Sequence, residues 1–198
     1  MRLLAGALIA ALLLQRGVYH AAYLLHDPFA LVTFSDGQLY EEAARDIVAH
    51  PPFGTEPLYL QGLYAYVLAL GIALRGSVVD GLCVQLALSL GALWLLARAC
   101  RTQYGPIAGT LSVLVLLACS DLAFYENKYL SVAIGNACNA LAIVAFVAAS
   151  RSWSKRALLL LGVASGLCVL GRPNLLIALP FTLLAVMVGT RGRLDARG

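Results

Sequence analysis

The feature that most constrains this chain is a series of apolar runs of bilayer length. They are Leu3 to Leu25, Val78 to Ala97, Ile107 to Leu122, Tyr129 to Ala149, Ala157 to Leu170 and Leu175 to Gly189. A helix needs about 20 apolar residues to cross a hydrocarbon core. Inside that core a crossing segment has to satisfy its own backbone, which favours helices. The connections between the later runs are short and polar. The expected fold is therefore all-α: a polytopic membrane helix bundle, one transmembrane domain over residues 1–198. No separate soluble domain, linker or internal repeat is visible. Composition agrees, with 61% hydrophobic and 12% charged residues, where soluble domains carry about 25% charged.

The charges sort function classes. The formal charge of +4 comes from arginines that mostly flank apolar runs, a pattern of positive-inside topology rather than of nucleic-acid binding. Cys83, Cys100, Cys119, Cys138 and Cys168 are odd in number and form no C-x-x-C pair, so neither a disulfide framework nor a zinc site is indicated. They read as small packing residues. His20, His26 and His50 lack metal-ligand spacing, and no Gly-rich phosphate loop, H-E-x-x-H or G-x-S-x-G occurs. This argues against nucleotide-driven transport and metalloprotease chemistry. The first run follows Met1-Arg2 and resumes its apolar character after Gln15-Arg16, which favours an anchor over a cleaved leader. Arg16, at that depth, has to snorkel or face a protein interior.

The longest polar stretch runs from Ser35 to Tyr59, inside an outer loop of residues 26–77. Tyr40, Ala43, Ala44, Ile47 and Val48 form one apolar stripe at helical spacing, and Asp36, Glu41, Glu42, Arg45 and Asp46 lie opposite. Ser35 and Gln38 have capping-box spacing. A half-charged helix between membrane segments lies along the interface. Pro51-Pro52 ends it, and a second, more apolar piece follows from Gly54 onward. If Leu58 to Leu74 does not cross, the basic groups around Arg98, Arg151 and Arg191 share the Arg2 side, as the positive-inside rule asks. Six spans are expected, with both termini cytoplasmic and Leu58–Leu74 an embedded or re-entrant helix.

That topology gathers Asp36, Glu56, the Tyr125-Glu126-Asn127-Lys128 cluster and Arg172-Pro173-Asn174 on one outer face. Each admits two readings. Asp36 is either a first-turn acid favoured by the helix dipole, worth about 0.3–1 kcal/mol, or a general base for a hydroxyl acceptor. Glu56, before a proline, has the same alternatives. Glu126 and Lys128 are interfacial residues, or Lys128 is a point charge for phosphate. Arg172 marks a helix break, or makes bidentate phosphate contact. Tyr40, Tyr59 and Tyr125 belong to the interfacial belt first, and to sugar or lipid contact second.

At these residues the chain resembles the GT-C membrane glycosyltransferases, in the branch of protein O-mannosyltransferases and lipid A aminoarabinose transferases. The resemblance rests on Asp36, Tyr40, Ala44, Arg45, Asp46 and Ile47 in a D-x-x-x-Y-x-x-x-A-R-(D/E)-(I/M) pattern. It rests also on Glu56-Pro57-Leu58-Tyr59, on Phe124-Tyr125-Glu126, and on Gly171 to Leu176 with Pro180. Relatives often carry an acid where this chain has Ser131-Val132. The full enzymes are several hundred residues long, so the resemblance is to their N-terminal portion. It implies transfer of a sugar from a polyprenyl-phosphate carrier to a protein, glycan or lipid acceptor. Asp36 would then be the catalytic base, with Glu56 and Glu126 in the same cavity. Lys128 or Arg172 would lie near the donor phosphate, with Tyr40, Tyr59, Tyr125 and Asn174 beside the substrate. The resemblance leaves a divalent cation open and allows a partner chain that completes the bundle. The alternative is a non-catalytic membrane scaffold or carrier-binding subunit.

Overall fold

The structure is a computed structural model that describes residues 2–195. Helix accounts for 82% of the residues, and no strand occurs among those described. The helices are α1 (Arg2–His26), α2 (Asp36–Ala49), α3 (Gly62–Arg75), α4 (Val78–Tyr104), α5 (Pro106–Ala118), α6 (Ser120–Tyr125), α7 (Val132–Ser152), α8 (Lys155–Gly171) and α9 (Ala178–Asp195), with a 3-10 turn at Pro173–Ile177 before the last. Three stretches are long and apolar enough to cross a membrane: Gly6–His26, Val78–Tyr104 and Val132–Ser152. The chain has the character of a helical membrane protein.

Local chemistry explains most boundaries. Gly76 ends α3 in the left-handed region at φ 82°, a conformation that costs glycine little. Ser77 then caps α4 by accepting from the Val79 amide at 3.2 Å. Gly105 at φ 95° followed by Pro106 turns the chain from α4 into α5. Ser154 caps α8 through the Ala157 amide at 3.3 Å. The capping box expected at α2 does not form. Ser35 sits at φ 56°, makes no side-chain cap bond, and leaves Gln38 to pair with Glu42 at 2.8 Å instead.

The expected third span is not one helix. It breaks at Cys119, whose extended backbone separates α5 from α6. The break exposes carbonyls that a continuous helix would use internally. Arg16 of α1 takes two of them, at Leu116 and Leu117, and also reaches the Cys119 carbonyl, which accepts from the Ala123 amide at 3.4 Å as well. Nε donates to Leu117 O at 3.3 Å, while Nη2 donates to Leu116 O at 2.7 Å, Leu117 O at 3.2 Å and Cys119 O at 3.3 Å.

The two ends of the bundle are chemically different. Ile9 of α1, Trp94, Arg98 and Arg101 of α4 and Pro106 of α5 line one groove, and Arg151 donates to Gln103 Oε1 at 3.1 Å. That end gathers the basic groups. At the other end α3 both starts and finishes. Its first turn reaches the Lys128 carbonyl through the Tyr64 hydroxyl (3.4 Å), and its last turn leads through Gly76 into α4. At about 21 Å, 14 residues of α3 fall short of a hydrocarbon core. Gly71 and Gly81 let α3 lie directly on α4: a Cβ at Gly71 would stand 2.3 Å from the Gly81 amide nitrogen. The main core sits here, built from Tyr40, Ala44 and Ile47 of α2, Tyr64, Leu68 and Ile72 of α3, Leu82 of α4 and Ile134 and Cys138 of α7.

Candidate functional site

The segment joining α6 to α7, Glu126 to Ser131, is the centre of the polar structure. Glu126 is 1% exposed and pairs with Arg16 Nη1, while Ser89 Oγ donates to its other oxygen at 2.5 Å. Gln85 Nε2 holds the segment's backbone, donating to the carbonyls of Tyr125 (3.1 Å), Glu126 (2.9 Å) and Lys128 (3.1 Å). Its Oε1 is buried without a hydrogen-bond partner. Gln85 and Ser89 lie four apart on α4, so one face of that helix presents both. Tyr129 donates to the Ala30 carbonyl at 2.9 Å and ties the connection between α1 and α2 to the segment.

This scaffold directs Lys128 outward. Its Nζ is 3.8 Å from Asp27 Oδ2, 4.4 Å from the Tyr23 ring centre and 5.2 Å from that of Phe124. Lys128 and Asp36 line one pocket of about 220 Å³, walled by Tyr23, Phe29, Val32 and Phe34. The pocket lies where Gly37 backs onto Tyr129; a Cβ at Gly37 would be 3.0 Å from the Tyr129 Cβ. Side chains from α1, the connection between α1 and α2, α2 and the segment before α7 thus meet around the Lys128 ammonium and the Asp36 carboxylate.

No family model, curated protein or solved structure matches the chain. Glu56 and Tyr59 lie away from Asp36, in a pocket of about 210 Å³ with Tyr40, Glu42 and Asp46. Asp46 organises that side: its carboxylate accepts from the Thr55 amide at 2.6 Å, the Glu56 amide at 3.0 Å, Thr55 Oγ1 at 2.9 Å and His50 Nδ1 at 2.9 Å. The two backbone amides, with His50, hold its pKa far below the usual carboxylate range. Tyr40 is buried edge-on against Tyr64, with ring centres 4.7 Å apart, and its hydroxyl donates to Gln61. Burial raises its pKa and keeps the phenol protonated as a donor.

The remaining residues are dispersed. Tyr125 is half-buried, with its ring edge-to-face on Phe124 at 5.3 Å. Arg172 ends α8 and lies across Gly135 of α7, where an added Cβ would stand 2.8 Å from its Cδ. Asn174 is exposed in the 3-10 turn. The single cavity that the resemblance implies for Asp36, Glu56 and Glu126 is resolved into three surroundings: the Lys128 pocket, the Asp46 pocket and the buried Arg16 pair. Among the described residues no three His, Cys, Asp or Glu side chains gather into a metal-ligand set. The sequence analysis gave no role to Gln85 and Ser89, and weighed His20 only as a metal ligand. Their signal was present as polar residues inside apolar runs, which in a membrane protein point inward by default.

Proposed function

We propose that the chain is a glycosyltransferase-type membrane protein of the GT-C kind, acting with a sugar donor carried on polyprenyl phosphate. The observation that carries the reading is the pocket shared by Asp36 and Lys128 beside the interfacial helix α2. A phosphate leaving group needs fixed positive charge, and an acceptor hydroxyl needs a positioned base. In this reading Lys128 faces the donor phosphate and Asp36 takes the acceptor proton. The carrier's isoprenoid chain lies in the apolar groove of about 580 Å³ between α7, α8 and α9, lined by Ile143, Phe146, Leu161 and Phe181. The protein sits in a bacterial inner membrane with six crossings, α5 and α6 counting as one. The basic end, with both termini, is cytoplasmic.

The experiment is sugar transfer by the purified chain in lipid from radiolabelled polyprenyl-phosphate sugars, with Asp36→Asn alongside. The substitution keeps volume and removes the base, so transfer is expected to fall by at least about 100-fold. Unchanged transfer by a folded variant would remove Asp36 from the mechanism.

The second reading is a non-catalytic subunit that holds the carrier lipid. It is favoured by the separation of Glu56 from Asp36 and by the engagement of Glu126 with Arg16. Saturable carrier binding without transfer, weakened by Lys128→Met and unaffected by Asp36→Asn, would select it.

A further inference from the structure

Three side chains outside the Lys128 pocket stand in line near the outer ends of α1 and α4. The Cys83 sulfur is 3.7 Å from His20 Nε2, and His20 Nδ1 is 2.5 Å from Asn127 Oδ1. Asn127 sets the direction of this chain of contacts. Its Nδ2 donates to the Ala123 carbonyl at 2.8 Å, so the atom facing the imidazole is the oxygen, which accepts from Nδ1–H. In the neutral ring Nε2 is then the acceptor, and it faces the thiol. A thiol on one imidazole nitrogen and an amide oxygen on the other is the order of Cys-His-Asn nucleophile sites. His20 and Asn127 are buried, whereas Cys83 is exposed. The base is held and the nucleophile is reachable, a division that a histidine serving only to fill a core does not require.

Depth identifies the substrate class. Cys83 is five residues beyond Val78, about 8 Å along the axis from the start of α4. That places its sulfur near the boundary between headgroups and acyl chains, where interfacial groups bury about 5–10 Å. The electrophiles concentrated at that depth are acyl carbonyls. The charged neighbour on the same helix, Asp80, is engaged by Arg75 at 3.6 Å.

The geometry points to Cys83 as an acyl-accepting nucleophile, with His20 as its base and Asn127 as the residue that orients the ring, taking a long-chain acyl group from an oxoester or thioester. His20 Nε2 takes the thiol proton, and the sulfur attacks the acyl carbonyl carbon. A carbon–sulfur bond to Cys83 forms as the bond to the leaving oxygen or sulfur breaks. The same Nε2 returns the proton to the leaving group. The products are an S-acylated Cys83 and a lysolipid or free thiol, with no oxidant or reductant involved.

The test uses the full chain reconstituted in two ways: in phosphatidylcholine vesicles with isotope-labelled acyl chains, and in unlabelled vesicles with labelled long-chain acyl coenzyme A. Mass spectrometry is expected to find one acyl group on Cys83, removed by neutral hydroxylamine and absent from Cys83→Ala. His20→Gln lowers its rate on the order of 100-fold, and Cys100→Ala leaves it unchanged. The arm that labels names the source, oxoester or thioester. Because His20→Gln also removes a buried hydrogen bond, the unmodified sequence supplies an independent readout. Chloroacetamide is expected to alkylate Cys83 at least about tenfold faster than Cys100 in the same molecule, since the adjacent imidazole acts as a general base on the Cys83 thiol alone. No adduct in either arm, label spread evenly over the five cysteines, a rate unaffected by His20→Gln, or alkylation of Cys83 no faster than of Cys100 would each overturn the assignment.

Discussion

Arg16 does two jobs with one guanidinium: it neutralises Glu126 and closes the broken end of α5. Both charges are buried, so removing one strands the other. Glu126→Gln or Arg16→Met is expected to cost about 3–5 kcal/mol, read from thermal or denaturant unfolding in detergent. The Arg16→Met/Glu126→Leu double variant should recover a large part of the Glu126 penalty; additive losses would show that the pair is not the unit that matters. Asp46 makes the opposite kind of contribution, at the surface. Its folded pKa is depressed by the Glu56 and Thr55 amides. The stabilisation it gives is therefore complete above the unfolded value of about 3.9 and is lost as pH falls below it. Hydrogen-exchange protection at Thr55 and Glu56, taken relative to the intrinsic rate at each pH, should be high at neutral pH, fall in acid, and be low at all pH values in Asp46→Ala. Gly54→Ala should act like Asp46→Ala, because the backbone has φ 74° there and an added Cβ would stand 2.5 Å from Asp46 Oδ2.

α3 is held by close backbone approach rather than by large side chains. Gly71→Ala puts a methyl group where the Gly81 backbone stands, and a loss of about 1–3 kcal/mol is expected in the same unfolding experiment. No change would mean that α3 is free to shift. The geometry of α3 also gives a labelling prediction. In a chain whose native cysteines are replaced, Tyr59→Cys and Arg75→Cys should react with an impermeant maleimide from one side, and Gln103→Cys from the other. Reaction of Arg75→Cys from the Gln103 side would turn α3 into a crossing. The elements themselves were largely readable from periodicity and length: the amphipathic stripe of α2 is buried at Tyr40, Ala44 and Ile47 as its spacing predicts, while Ala43 is partly buried and Val48 at its end is exposed. The break at Cys119 was not readable, because no proline or glycine marks it. A guanidinium contributed by α1 bonds the carbonyls at the break, and a contact of that range leaves no local trace. Ser35 misled for a related reason: its backbone follows the tight turn out of the outer loop, which overrides the capping pattern.

Across the whole molecule, the placement of charge was readable and the grouping of the site residues was not. Apolar run lengths and the positions of arginine anticipate a bundle with one basic end. Nothing in the spacing of Asp36, Glu56 and Glu126 says that α2 divides the first two and that Arg16 withdraws the third. Those outcomes depend on which face of α2 meets Tyr129 and on the length of Arg16. The same arginine has a consequence for how the protein is made. Its carboxylate partner lies 110 positions later in the chain, and the carbonyls it caps are nearly as far away. When α1 leaves the ribosome, none of these exists. Arg16 then enters the bilayer uncompensated, at a cost on translocon scales of about 2.5–3.5 kcal/mol near the centre of a helix. Nascent chains halted before Glu126 should therefore insert α1 less completely than longer ones, and Arg16→Leu should abolish the difference. In the proposed topology, α1 becomes secure in the membrane only when the segment around Glu126 arrives.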